Sequence, residues 1–93
     1  MFSPVDDVPP MQVAVTGASG HIGNVVCRVL LEQGHRVRAF YNADDHALMD
    51  LDLERVQGNV LVLADLVRLC EGCDVVVNCA AITAAQLEHG SVR

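Results

Sequence analysis

The sequence contains no lysine and no tryptophan, and it has only one Tyr and two Phe among 93 residues. The core must therefore be built from Val, Leu, Ile and Ala, as in a sheet covered by helices. Six Arg residues stand against twelve acidic residues, which gives a formal net charge of −6. Nucleic-acid binding needs a basic face, which this composition does not supply.

Long hydrophobic runs are also missing. A membrane span needs roughly 18 to 20 apolar residues, and Asn78 and Thr83 interrupt even the best stretch, 75–85. The first ten residues carry acidic residues and three prolines, where a signal peptide has basic residues and an apolar segment. We therefore expect a cytoplasmic location and no membrane partner.

The length fits one small domain, since domains usually run to about 100 to 150 residues. An apolar fraction of 52% with 19% charged residues is enough to form a core. Residues 1–10 are Pro-rich, acidic and non-periodic, which predicts a flexible tail. The domain is expected to cover residues 11–93.

After the tail, β-branched runs alternate with helical periodicity. Strands are predicted at 12–16, 36–41, 53–57 and 74–79. The first helix begins at Ile22 and ends before Gly34. A polar turn at 42–46 leads into a weak helical or irregular piece through Asp50. Residues 60–70 suit either an extended strand or a helix, and we predict a helix from about Leu63, with Gly72 as its stop.

This alternation predicts an α/β fold with right-handed crossovers and a Rossmann-type parallel sheet. The first three strands wind outward and the fourth returns beside the first, which gives the strand order 3-2-1-4. That order is half of a doubly wound fold. The switch point then lies between strands one and four, where Gly17 and residues 79–81 follow the carboxyl ends.

A glycine-rich turn joins the first strand to the first helix. Gly17 permits the tight turn, Gly20 brings the backbone against a diphosphate, and Gly23 lets the helix pack on the sheet. The unpaired amides of the first helical turn and the positive end of the helix dipole favour phosphate there. The predicted dinucleotide-contacting residues of this turn are Gly17, Ala18, Ser19, Gly20, His21, Ile22 and Gly23.

The T-G-x-x-G-x-x-G spacing of residues 16–23 resembles the short-chain dehydrogenase/reductase superfamily. Within it, the extended branch of NAD-dependent epimerases/dehydratases and dihydroflavonol-reductase-like proteins is most similar. Residues 31–39 resemble its L-x-x-G-H-x-V-R-A passage, and residues 70–76 its G-x-D-x-V turn. Residues 77–81 resemble its V-x-H-x-A-A strand end. The resemblance covers about residues 11–83, and it implies the amino-terminal, cofactor-binding part of such an enzyme.

The resemblance also implies further cofactor contacts. Asn59, with Val60 beside it, stands where the family has an Asp that contacts adenine. Cys79, Ala80 and Ala81 lie beside the cofactor, and the small alanines leave room for its nicotinamide side. No catalytic role is inferred for Asn78 or Cys79.

Cofactor choice depends on the end of strand two, which reads Tyr41-Asn42. NAD selection usually uses a carboxylate about 20 residues beyond the glycines, and NADP selection uses an Arg. Neither is present, so NAD and NADP both stay open. The missing carboxylate and the amide of Asn42 favour NADP slightly, while Asp44 or Asp45 folding back to the ribose would favour NAD. Arg36 and Arg38 are expected to be solvated.

The family's catalytic Tyr-x-x-x-Lys cannot lie in a chain without lysine. We therefore expect an NAD(P)-dependent oxidoreductase or epimerase whose catalytic half is absent here, acting on a carbonyl or alcohol. A non-catalytic NAD(P)-binding sensor or structural subunit is the alternative. An apolar edge at 75–77 predicts self-association, or cover by a missing carboxyl-terminal domain.

Other chemistry is disfavoured. All four cysteines, Cys27, Cys70, Cys73 and Cys79, are expected to be reduced. A redox-active pair sits at a helix N-terminus, whereas the pair at 70 and 73 follows a predicted helix end. The histidines lack pair spacing with these cysteines, so no metal site is predicted. We expect His21 to shield the diphosphate.

Overall fold

A computed structural model of the chain describes residues 9–80. Within that range, four β-strands alternate with two α-helices and a short 3₁₀ helix. The elements in chain order are β1 (Gln12–Thr16), α1 (His21–Glu32), β2 (Arg36–Tyr41), the 3₁₀ helix (His46–Leu48), β3 (Glu54–Gln57), α2 (Leu63–Cys70) and β4 (Val75–Asn78).

The four strands form one parallel sheet in the order β3-β2-β1-β4. Val13 of β1 pairs with Val37 of β2 on one side and with Val75 of β4 on the other. The predicted fold class and strand order are therefore confirmed. The carboxyl ends of β1 and β4 lie side by side, which is the predicted switch point.

Alternate β1 residues pack on opposite faces of the sheet, because side chains alternate along a strand. Val13 and Val15 join the core beneath α1, which includes the fully buried Cys27. Ala14 joins the second core, which includes Leu69 of α2. One helix thus covers each face, as expected for half of a doubly wound fold.

The end of α1 lies where the sequence placed it. Gly34 has φ +88°, a left-handed conformation that glycine adopts without a steric penalty. Its amide donates to the Leu31 carbonyl, and the amide of His35 donates to the Leu30 carbonyl. These two bonds form a Schellman motif, which satisfies carbonyls of the last helical turn.

Several boundaries differ slightly from the prediction. β3 begins at Glu54 because the amide of Leu53 donates to Leu51 in a turn. β4 is shorter than predicted at both ends, and α1 begins one residue earlier, at His21. The weak piece after β2 is the 3₁₀ helix, whose Leu48 is fully buried against the α1-side core.

The prediction that Arg38 is solvated is wrong. Its side chain is only 17% exposed. The Nε group donates to Glu54 Oε1 at 2.9 Å, and Nη1 donates to the carbonyls of Leu69 and Glu71 at 2.8 and 2.6 Å. Arg38 therefore caps the carboxyl end of α2, where unpaired carbonyls attract a cation. Arg36 is exposed as predicted.

The predictions for the tail, for Ala81 and for Thr83 fall wholly or largely outside residues 9–80. No helix in the described range is both long enough and apolar enough to cross a membrane. Within the same range, β4 is an edge strand of the sheet, and Val75 and Val76 are exposed.

Candidate functional site

The turn after β1 brings two strand ends into direct contact. Gly17 has φ +63°, and a side chain on it would lie 2.8 Å from the backbone of Cys79 and Ala80. Only glycine fits this approach without strain. The start of the glycine turn therefore lies directly against the residues that follow β4.

The other two glycines of the turn differ in what surrounds them. A side chain on Gly23 would collide with the Gly17 carbonyl and lie 2.9 Å from Ala18 Cα. A side chain on Gly20 would meet only the Gly17 carbonyl oxygen, at 3.3 Å. Gly23 is thus required for packing the helix on the turn, whereas Gly20 is exposed and has only one close neighbour.

Several backbone amides at the start of α1 have no hydrogen-bond acceptor among the described residues. The amide of Ala18 donates to the Phe40 carbonyl at 3.2 Å, and that of Gly20 donates to the Gly17 carbonyl at 3.1 Å. Among residues 9–80, the amides of Ser19, His21, Ile22 and Gly23 have no backbone or side-chain acceptor. The first turn carries no acidic residue and no side-chain cap. These amides, together with the helix dipole, suit an anion.

A cleft of about 190 Å³ opens beside this turn, at the carboxyl edge of the sheet. Its walls come from the glycine turn, the end of β2, the segment after β3 and the residues after β4. The lining residues are Gly17, Ser19, Phe40, Tyr41, Asn42, Gly58, Asn59, Val60 and Ala80. The fold thus brings together seven of the predicted cofactor-contacting residues.

Phe40 and Gly58 line the cleft but were not predicted. A side chain on Gly58 would lie 2.6 Å from Phe40 Cζ. The absence of a side chain at Gly58 therefore makes room for the Phe40 ring, which is almost fully buried beside the cleft.

Asn59 is held in place by α2. The backbone amide of Asn59 donates to Asp65 Oδ2 at 3.0 Å, and its side-chain Oδ1 accepts from the backbone amide of Leu61 at 2.8 Å. Asp65 also accepts from Arg68 Nη2 at 2.8 Å. Sequence reasoning missed Asp65, although its place in the first turn of α2 is typical of an acid that binds backbone amides.

The end of β4 is tied to β1 by a side-chain pair that was also missed. Thr16 Oγ1 donates to Asn78 Oδ1 at 2.5 Å and accepts from the amide of Cys79 at 3.2 Å. Asn78 Oδ1 accepts in addition from the amide of Ala80 at 3.2 Å. This pair sets the backbone path that forms one wall of the cleft.

The remaining predicted contacts of the turn occupy different surroundings. His21 and Ile22 are exposed on the first turn of α1, while Ala18 and Gly23 are buried beneath it. Cys79 is half-buried and packs against the α1-side core. Ala81 lies outside the described residues.

The cysteines within the described range are free. Burial raises the pKa of the Cys27 thiol to about 11, with nearby Cys79 as the smaller cause. Burial also raises the pKa of Cys73, whose thiol donates to the Leu69 carbonyl. Cys70 and Cys73 flank the end of α2, and a raised thiol pKa is opposite to what a redox pair requires.

Residues 9–80 hold no cluster of three or more metal-ligating side chains. A larger groove, of about 590 Å³, lies at the amino edge of the sheet near Gln12, His35 and Glu54. It has no helix N-terminus and no glycine turn, so it lacks the donors that mark the smaller cleft.

Comparison with known proteins gives a consistent result. A family model described as NAD dependent epimerase/dehydratase family matches residues 13–91. The chain is 38% identical over 78 residues to a probable low-salt glycan biosynthesis reductase, Agl14, of Haloferax volcanii, covering 78% of this chain and 24% of that protein. It is 34% identical over 83 residues to a ceramide reductase of Caulobacter vibrioides, covering 87% and 26%.

Among solved structures, the Bordetella bronchiseptica enzyme WbmH in complex with NAD+ is similar, with a TM-score of 0.71 and 29% identity. The likeness covers 82% of this chain and 27% of that one. The chain therefore spans about a quarter of the length of the curated relatives described above.

Proposed function

The chain belongs to the NAD dependent epimerase/dehydratase family, and on that premise we propose that its glycine turn binds the diphosphate of NAD or NADP. The observation that carries the proposal is the set of free amides at the start of α1, beside the exposed Gly20. The residues fit the group, because backbone donors and a helix dipole hold phosphate without a basic side chain.

The adenosine half is proposed to lie in the cleft between the ends of β2 and β3. Asn59 and Val60 are the proposed adenine contacts. The side-chain oxygen Oδ1 of Asn59 already accepts one hydrogen bond and has a second lone pair for an amino group. Ala80 and Ala81 are proposed to leave room for the nicotinamide half, and His21 to shield the diphosphate.

NADP is proposed as the slightly favoured cofactor. Asn42 is exposed at the position where many dinucleotide folds carry a carboxylate. An uncharged amide does not repel a 2′-phosphate and can donate to it. The solved structure of WbmH contains NAD+, so NAD binding is expected as well.

The reaction proposed for the whole enzyme is reduction, oxidation or epimerisation at a carbonyl or alcohol carbon. The nicotinamide would supply the hydride donor or acceptor when bound. The residues of this chain bind and orient the cofactor. Because the sequence holds no lysine, we propose that these 93 residues alone bind the cofactor without turnover.

A non-catalytic role is the second candidate, and the same observation favours it. A sensor or structural subunit would keep the glycine turn and need no Tyr-x-x-x-Lys. Sequencing the gene beyond the codon for Arg93 distinguishes the two, since the enzyme requires that motif. The proposed partner is a carboxyl-terminal half or a second copy, and the proposed location is the cytoplasm.

Ligand-dependent unfolding tests the binding proposal. A ligand that binds only the folded state at 100 times its Kd stabilises it by about 2.7 kcal/mol, so NAD or NADP should raise the unfolding midpoint. Gly20→Ala is the matched variant, because its methyl group would contact only the Gly17 carbonyl oxygen, at 3.3 Å, and would stand in the proposed phosphate position.

We expect Gly20→Ala to lose about 1 kcal/mol of stability and most of the ligand-induced shift. No shift of the wild-type chain with either dinucleotide would refute the proposal. An undiminished shift in Gly20→Ala would place the ligand elsewhere.

A further inference from the structure

Asn42 stands at the point where a dinucleotide fold distinguishes the two forms of the adenosine ribose. It directly follows β2, lines the cleft and is exposed. Residues about 20 positions beyond the glycines contact the ribose 2′ position in such folds. The groups that hold and surround Asn42 therefore influence the choice between a 2′-hydroxyl and a 2′-phosphate.

The backbone of Asn42 is held by a side chain from the neighbouring strand. Tyr41 and Gln57 form the last register pair of β2 and β3, and the Gly58 amide donates to the Tyr41 carbonyl at 2.9 Å. One residue further on, Gln57 Nε2 donates to the Asn42 carbonyl at 3.0 Å. The Gln57 side chain thus extends the strand pairing past the end of the sheet.

The charged groups of the segment after β2 are engaged elsewhere. Asp44 Oδ1 accepts from the His46 amide at 2.9 Å. Asp45 Oδ2 lies 3.5 Å from Arg55 Nε, and Arg55 also donates to the Leu48 carbonyl. Neither carboxylate lines the cleft, so the uncharged side chains of Tyr41 and Asn42 form this end of it.

We propose that Gln57 is a positioning residue for dinucleotide specificity, because its side chain holds the backbone of Asn42 next to the expected ribose 2′ position. This inference rests on the proposed function. A neutral amide here discriminates weakly between NAD and NADP. A cation at the same place attracts the 2′-phosphate, and an anion repels it.

Two opposite substitutions test the proposal in the full 93-residue chain. Gln57→Lys keeps an N–H donor for the Asn42 carbonyl and adds a positive charge. Gln57→Glu has nearly the same shape, removes the donor and adds a negative charge. Gln12→Lys is the matched control, since Gln12 begins β1 at the opposite edge of the sheet.

The readout is the ratio of the Kd values for NAD and NADP, measured by calorimetry at one fixed salt concentration. We expect the ratio to shift toward NADP by about tenfold from Gln57→Glu to Gln57→Lys. The lysine attracts the 2′-phosphate and the glutamate repels it, and each effect is about that of one exposed charge pair. Gln12→Lys should leave it within about twofold, because distant exposed charges are screened.

A purely structural role of Gln57 would weaken both ligands equally and leave the ratio unchanged, and that result would overturn the inference. An equal shift in Gln12→Lys would also overturn it, by showing a long-range effect of net charge. If the wild-type chain binds neither NAD nor NADP, the proposed function itself fails, which is a separate result.

Discussion

Cys27 shows how burial changes the chemistry of a single residue. It lies on α1, fully buried in the core beneath that helix. Removal from water disfavours the thiolate, and the pKa of this thiol rises from 9.0 to about 11. The sequence alone does not show this shift, because it depends on the burial of the Cys27 thiol in the folded chain.

This shift predicts a pH dependence of stability. The folded state favours the neutral thiol, so the contribution of Cys27 is fully present below about pH 9 and is lost as the pH rises toward 11. Urea unfolding between pH 7 and 10.5 should show a steeper alkaline loss in the wild type than in Cys27→Ala. Parallel curves for the two proteins would contradict the prediction.

At the scale of elements, Arg38 joins three parts of the fold that are distant in sequence. Its guanidinium extends from β2 to a carboxylate of β3 and to two carbonyls at the end of α2. One side chain thus fixes the position of α2, whose first turn holds Asn59 at the cleft through Asp65. Arg38 at one end of α2 therefore helps to hold Asn59, which is bound at the other end of the same helix.

We expect Arg38→Ala to lower the free energy of unfolding by about 2 to 3 kcal/mol, since hydrogen bonds to charged groups contribute about 1.5 to 3 kcal/mol. Arg38→Lys should recover only part, because an ammonium group lacks the planar fork. Hydrogen exchange should show faster opening at the end of α2.

Arg68→Ala is the control for this prediction. It removes the ion pair between the exposed Arg68 and the partly buried Asp65 on the same helix, and pairs near the surface contribute about 1 kcal/mol or less. A loss in Arg68→Ala as large as that in Arg38→Ala would refute the assignment of Arg38 as the cap of α2.

At the scale of the whole molecule, apolar side chains are exposed along β4 and the neighbouring α2, and others are exposed on α1. Val75 and Val76 of the edge strand are 39% and 46% exposed, and Leu63 and Val67 on α2 are 75% and 56% exposed. Natural sheet edges are usually protected by charge, proline or a covering element. None of these protects β4 among the described residues, which favours association.

The chain on its own should therefore self-associate in a concentration-dependent way, measurable by sedimentation velocity. Val76→Lys places a charge on the edge and should shift the distribution toward monomer. Val29→Lys adds the same charge to an exposed position on α1 and should have much less effect. A wild-type chain that stays monomeric, or equal effects of both variants, would contradict the edge as the contact.

The elements and the glycine turn were predictable because their signals are local. The period of apolar residues distinguishes strand from helix within a few positions, and Gly34 and Gly72 mark where helices end. Both glycines have the left-handed φ values of such ends, +88° and +74°. The position of Asn42 followed from the same local spacing.

Arg38, Gln57 and Asp65 were not predictable as functional supports. Each acts through a partner brought near by strand register or helix packing, and no local pattern encodes those distances. Arg38 was even assigned to solvent, because a charged residue near the start of a strand is usually exposed. The register of β2 against β3 decided its actual surroundings.

The order of elements, the parallel sheet and the free backbone amides at the start of α1 follow from the sequence alone. These depend on side-chain period and on glycine, which act over a few residues. Tertiary structure alone decided which side chains hold the walls of the cleft. Those contacts join strand ends and helix ends that meet only when the apolar faces of the sheet are buried.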